Sequence, residues 1–186
     1  MDKTFVVNGC SNHSTDSREE NDFYATDPKS VKALLDVENF SKTIMEPCCG
    51  MGHICEELIK NGHDVIAFDL IDRGYGIGGV DFFDYTDPID MDIITNPPFK
   101  LGVEFTEHAL DLVTTGHKVA MFLKLTFLES KKRQKLFNRK ELKTVYVFIN
   151  RALCGKNGEF PEGSAVAYAW YVWEKGYNGD PVIKWI

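Results

Sequence analysis

Apolar residues recur along this 186-residue chain in two periods, and the two alternate. Short, nearly continuous apolar runs read as buried strands: TIME ahead of PCCGMG, then HDVIAFDL, VDFF, MDIIT, HKVAMFLKLTFL, TVYVFI, SAVAYAWYVWEKG and PVIKWI. Helical patterns fall between them. DPKSVKALLDV opens with Asp27 as a cap and Pro28 at the first helical position, where a missing N–H costs nothing. HICEELIKNG reads as a helix stopped by Gly62. GVEFTEHALDLVTTG places Phe105, Ala109, Leu112 and Val113 on one side. KKRQKLFNRKELK, residues 131–143, reads as a further helix. Strands alternating with helices of this length predict an α/β fold, with a mostly parallel central sheet covered by helices on both faces. The strand-rich C-terminal end predicts an antiparallel hairpin at one edge. Residues 1–22 are polar and are expected to form a loose arm, which leaves residues 23–186 as one domain.

Composition adds bounds. A hydrophobic content of 44% with 26% charged residues is that of a globular chain with a substantial core. No apolar run has the length of a membrane span, and MDKTFVVNGC lacks a signal-peptide core. The five cysteines, at 10, 48, 49, 55 and 154, make no disulfide framework, so a reducing cytoplasm is expected. Cys10 with His13, and Cys48-Cys49 with His53, imitate metal ligands, but no second pair follows at zinc-finger spacing, and no metal is expected.

Charge changes the picture more. The net charge of −7 hides a sharp division. Residues 1–117 carry 8 Lys/Arg against 22 Asp/Glu, a net of −14, whereas residues 118–156 carry 11 against 2, a net of +9. Most charge runs are solvated helix faces. One this lopsided in an acidic chain also fits an electrostatic footprint for a polyanion.

Candidate chemistry gathers at the ends of strands, where ligands bind in open α/β sheets. EPCCGMG, Glu46 to Gly52, is a strand running into a turn whose Gly50 and Gly52 allow close backbone approach. Asp69 follows about 20 positions after the glycine turn and is placed to accept from both hydroxyls of a ribose, or is simply a helix cap or a surface residue. Asp81 could accept from an adenine amino group, with Phe82 packing on the ring. Last comes DIITNPPF. Pro97 and Pro98 remove two backbone donors and fix two φ angles, so the strand ends in a stiff loop. That loop holds the Asn96 side chain, the Pro97 carbonyl and the Phe99 ring at a strand end.

The ordered set EPCCGMG, FDL, VDFF and NPPF resembles the class I S-adenosylmethionine-dependent methyltransferases. It is similar, within them, to the amino-methyltransferases marked by Asn/Asp/Ser-Pro-Pro-aromatic. FYATDP ahead of the first helix resembles the N-terminal cofactor motif of adenine-N6 DNA methyltransferases, and the late CGKNGEF and AYAWYVWEKG resemble phage- and prophage-borne members. The likeness spans residues 23 to about 175 and implies a Rossmann-like methyltransferase domain using S-adenosylmethionine. It implies that Thr26 and Tyr24 hold the cofactor's methionine end, which Glu46, Cys48, Gly50 and Gly52 line. Asp69 takes its ribose, Leu70 or Ile71 its adenine, and Asp81 and Phe82 the adenine edge. Asn96 and Pro97 accept from the target amino group, Pro98 stiffens the loop, and Phe99 stacks on the base. Phe160 is a candidate second ring, equally suited to packing on the hairpin, and Arg151, Lys156 and Asn157 are candidates for phosphate.

The expected partner is therefore nucleic acid, DNA ahead of RNA, and the leading activity is methylation of adenine-N6. The same motif serves guanine-N2 or adenine-N6 of RNA and the glutamine amide of proteins. A cofactor-binding regulator and a small-molecule amine methyltransferase are the other readings. The chain ends ten residues after WEKG, so a target-recognition domain has no room, and specificity is expected to be slight, to lie in the basic block or to come from a protein partner.

Overall fold

The computed structural model describes residues 24–155, 160, 163 and 165–186. The expected arm, Cys10, His13, Lys156 and Asn157 lie outside the described residues. In chain order the elements are β1 (Ala25–Thr26), α1 (Pro28–Leu35), β2 (Thr43–Glu46), α2 (His53–Lys60), β3 (Asp64–Asp69), β4 (Ile77–Gly78), β5 (Asp92–Thr95), α3 (Gly102–Leu112), β6 (Lys118–Lys124), α4 (Gln134–Phe137), β7 (Leu142–Val147), β8 (Cys154–Gly155), β9 (Tyr168–Glu174) and β10 (Val182–Trp185). No helix among the described residues is long and apolar enough to cross a membrane.

Eight strands form one sheet in the order β10-β7-β9-β6-β5-β2-β3-β4, and β1 pairs with β8 in a separate two-stranded piece. Every pairing in the large sheet is parallel except those of β9, which runs antiparallel to both β6 and β7. The period-2 alternation of the central strands sorts their side chains between two cores. Ile44, Ile94, Ala120, Phe122, Trp170 and Val172 face α1 and α2. Their neighbours Met45, Ile93, Val119, Met121, Tyr171 and Trp173 face α3. Asp27 caps α1 by accepting from Lys29 N–H at 2.9 Å, and the Trp170 indole donates to Ser30 O at 2.8 Å, tying α1 to the sheet.

Three expectations need correction. The antiparallel strand is not part of an edge hairpin: β9 lies third from the edge, buried along six of its seven residues, while β10 forms the edge parallel to β7. Its aromatic run fills both faces of a covered sheet, which an exposed hairpin would not need. VDFF is not a strand but a single 3₁₀ turn over Phe82–Asp84, capped by the Asp81 carboxylate accepting from Phe83 N–H at 3.0 Å. The basic run 131–143 is helical only through a 3₁₀ turn at Lys131–Arg133 and the four residues of α4; its end belongs to β7.

Candidate functional site

After β2 the chain steps to β3 and β4 on one side of the sheet, then returns to β5 and β6 on the other. Loops leaving β2 and β5 diverge at such a switch point and open a crevice at their carboxyl ends. A cleft of about 190 Å³ lies there, lined by residues of β1, of the β2–α2 loop, of the β3 end and of the loop after β5.

The floor is the β2–α2 loop. Gly50 and Gly52 have φ of +54° and +86°, a left-handed backbone that glycine adopts without a Cβ penalty. Gly52 starts α2 with no side-chain cap, so the first N–H groups of that helix have no capping acceptor on the residue before it. The Gly50 N–H donates to Asp69 Oδ2 at 2.8 Å. Asp69 Oδ1 accepts from Ile71 N–H at 2.9 Å and from Arg73 Nη1 at 3.2 Å. Asp69 therefore ties the ends of β2 and β3 together while lining the cleft.

Glu46, at the end of β2, is fully buried, and neither carboxylate oxygen makes a well-formed hydrogen bond. Burial pushes its carboxyl well above the ordinary range; the Thr95 hydroxyl opposes this in part, and the nearby Asp69 charge adds to it. Burial likewise raises the Cys48 thiol well above its usual range and the Cys49 thiol to about 12, so neither is a nucleophile. Thr26 Oγ1 is a second buried oxygen without a partner, on a residue that lines the cleft.

The far wall is the loop after β5. The Asn96 Nδ2 donates to Tyr24 O at 2.7 Å, which fixes the carboxamide. Its Oδ1 is buried and has no hydrogen-bond partner among the described residues. The β1–β8 pairing, Ala25 with Gly155 and Thr26 with Cys154, carries Tyr24 to this position. Phe99 packs nearly parallel to Tyr24 and to Tyr168, with ring centroids 5.9 and 5.7 Å away, and Lys124 Nζ lies 5.1 Å from its centroid.

Of the residues singled out in the sequence, Tyr24, Thr26, Cys48, Asp69, Leu70, Ile71, Asp81, Phe82, Asn96 and Pro98 line this one cleft. Glu46, Gly50, Gly52, Pro97 and Phe99 stand behind its walls and are not in the lining. Phe82 is mostly core, packed against Phe68, Phe105 and His108. Its neighbour Phe83, exposed, also lines the cleft and was not singled out. Phe160 meets His53 edge-on with centroids 5.7 Å apart, and His53 lines the cleft, so the ring stands at its border rather than on β9. Arg151 is exposed in the loop between β7 and β8. Arg73 and Leu101 were missed, and His53 was weighed only as an imitation of a metal ligand. Only Arg73 had a signal, its i+4 spacing from Asp69, and that spacing is common in any turn or helix.

Neither a protein-family model nor a curated protein sequence matches the chain. Solved structures do. A Listeria monocytogenes protein described as a class I S-adenosylmethionine-dependent methyltransferase superposes at a TM-score of 0.56 and 13% identity, over 86% of this chain and 64% of that one. The methyltransferase subunit of a type I restriction-modification system from Streptococcus thermophilus gives 0.63 at 13%, over 88% and 47%. A Pyrococcus horikoshii protein described as an RNA methyltransferase gives 0.56 at 10%, over 79% and 81%. The chain thus spans about half to two thirds of the length of the first two. At these identities the likeness is one of fold: the chain has the class I methyltransferase fold, with the reversed strand β9 between β6 and β7. An unmodified dinucleotide-binding sheet has no such insertion in its strand order.

Proposed function

We propose that the chain is an S-adenosylmethionine-dependent methyltransferase acting on an exocyclic amino group, adenine-N6 of DNA in the first instance. One observation carries this reading: a buried, fixed and unpaired Asn96 Oδ1 beside two prolines, on the wall of a cleft at the switch point of a methyltransferase fold.

The residues of the cleft fit the cofactor. Thr26 Oγ1 is an orphaned polar atom where the methionine end would lie, and the glycine loop gives close backbone approach. Asp69 remains an acceptor for a ribose diol, and Leu70 and Ile71 offer apolar contact to a purine. Bound S-adenosylmethionine supplies an electrophilic methyl group on a sulfonium. The chain's own work is on the nucleophile. An aromatic amino group is a poor nucleophile because its lone pair is delocalised into the ring. Asn96 Oδ1 and the Pro97 carbonyl accept its two N–H bonds, which favours pyramidal nitrogen and stabilises the charge it gains. Asn96 is already held by Tyr24 O, and the prolines fix φ, so the acceptors need no reorganisation. Tyr24 and Phe83 in the lining, with Phe99 packed behind Tyr24, provide a stacking surface worth about 1–3 kcal/mol for an unstacked base. A base inside a duplex must first be flipped, at a cost of a few kcal/mol. The lost proton goes to solvent.

The test uses tritiated S-adenosylmethionine with unmethylated duplex DNA, single-stranded DNA, RNA and extract protein, beside an Asn96→Ala control. Label recovered as N6-methyladenine from DNA, and lost in the variant, is the expected result. Label confined to RNA or protein moves the substrate, and failure to bind the cofactor in calorimetry refutes the reading.

A further inference from the structure

The topology divides the basic block. Lys135 lies 3.6 Å from Glu107, Arg139 lies 2.9 Å from Asp111 and 2.7 Å from Glu141, and Lys143 lies 2.6 Å from Glu174. These cations belong to α4, to the turn after it and to β7, and their partners Glu141 and Glu174 lie at the amino end of β7 and the carboxyl end of the reversed β9. That is the end of the sheet away from the cleft. Arg139 and Lys143 are closely paired there, and Lys135 is exposed with one looser carboxylate partner.

The earlier cations lie at the other end. Lys124 closes β6 at the carboxyl edge of the sheet and places its ammonium over Phe99. The following turn, Leu125–Leu128, packs Phe127 against the start of α3, directly after the Asn-Pro-Pro-Phe loop: a Cβ at Gly102 would come within 3.3 Å of the Phe127 ring. Arg133 covers Phe127 at 4.5 Å and donates to Thr126 O and Glu129 O, which locks this loop to the wall of the cleft. Lys131 and Lys132 project from it, exposed, with no carboxylate in ion-pair range among the described residues. Ser130 holds their turn with φ at +110°, a conformation unfavourable for a residue with a Cβ, and accepts from Lys132 N–H. Arg151 joins the same rim, because β7 is parallel to β6 in the sheet and its loop leads to β8, which pairs with the strand following Tyr24.

We propose that this rim, Lys124 with Lys131, Lys132, Arg133 and Arg151, is the track for the DNA backbone that delivers the target base to Asn96. The inference rests on the methyltransferase reading and assigns the partner surface of that site. The division has a physical logic. In a chain whose first 117 residues carry a net of −14, a polyanion is repelled from most of the surface and attracted to the one edge where unspent cations meet the cleft. Such cations set register and affinity without reading sequence.

The experiment is a salt titration of binding, by fluorescence anisotropy, of the full chain to a fluorescein-labelled duplex DNA of mixed sequence, with single-stranded DNA and RNA of the same sequence alongside. Lys131→Ala/Lys132→Ala and Arg151→Ala are compared with Lys135→Ala, and thermal unfolding verifies that each is folded. Each lost phosphate contact lowers the slope of log affinity against log salt by about 1, so the double variant loses about 2 and Lys135→Ala stays within error of wild type. A double variant with the wild-type slope, a wild type that does not bind, or a rim dependence confined to RNA overturns the proposal. The two readings fail separately. Label transfer to DNA with an unchanged slope keeps the methyltransferase and removes the rim. Rim-dependent binding without transfer to any nucleic acid keeps the rim and removes the proposed chemistry.

Discussion

Replacing Glu46 with Gln tests the electrostatics of the cleft floor most directly. Glu46 is fully buried, both oxygens lack a well-formed partner, and Asp69 is a neighbouring negative charge. Ionising it there costs several kcal/mol, so the folded chain keeps it protonated to a pH well above its ordinary value of 4.5. The unfolded chain ionises it near that ordinary value. The folded state then holds one more proton than the unfolded one. The stability this gives is fully present below that ordinary value and is lost as pH rises toward the raised folded value. Within that window the loss is about 1.4 kcal/mol per pH unit, the equivalent of one proton. For a chain of this length it amounts to roughly 3–5 °C in Tm per unit. Glutamine keeps the shape and cannot ionise. Thermal unfolding of both proteins from pH 4.5 to 8, followed by circular dichroism, should give Tm curves that diverge, Glu46→Gln becoming the more stable as pH rises. All other titrations are common to the two proteins and cancel in the difference. Parallel curves would refute the argument, because they would mean that Glu46 is ionised in the folded chain and paired.

Asp69→Ala removes the acceptor of Gly50 N–H and Ile71 N–H and the carboxylate beside Arg73; a loss of about 2–4 kcal/mol in urea unfolding is expected, with loss of S-adenosylmethionine binding in calorimetry. Gly52→Ala forces a left-handed φ on a residue with a Cβ and drives that Cβ to 2.4 Å from the Tyr75 ring, so its Tm should fall by at least the 2–8 °C that about 1–2 kcal/mol of backbone strain implies. Phe99→Leu keeps an apolar side chain beside Tyr24 and Tyr168 but removes the ring; methyl transfer should show a raised KM for the base-bearing substrate with kcat less affected, and an unchanged KM would place stacking elsewhere.

Much of the fold was legible because its signals are local. The cap at Asp27 and Pro28, the stop at Gly62 and the apolar face of Phe105, Ala109, Leu112 and Val113 depend on residues within a turn or two of one another, and each stands in the structure as the pattern implies. The glycine loop, Asp69 and Asn96 were legible for the same reason: a strand end, a left-handed turn or a proline pair announces itself within a few residues. VDFF was misread because three apolar positions satisfy a strand and a 3₁₀ turn equally, and Asp81 decided the matter by capping.

Tertiary structure alone decided the rest. Nothing local shows that β9 passes between β6 and β7, since pairing across the sheet depends on which hydrophobic faces meet after the chain has closed. Nor does any local signal show that β1 and β8 pair, although that contact sets Tyr24 on Asn96 and leaves one carboxamide oxygen unpaired. The basic block is the clearest case. The sequence determined that positive charge is concentrated between residues 118 and 156. Folding then placed Lys118, Arg139 and Lys143 among carboxylates and Lys124 and Arg133 beside the cleft, because Coulomb attraction acts through distances in space and not along the chain.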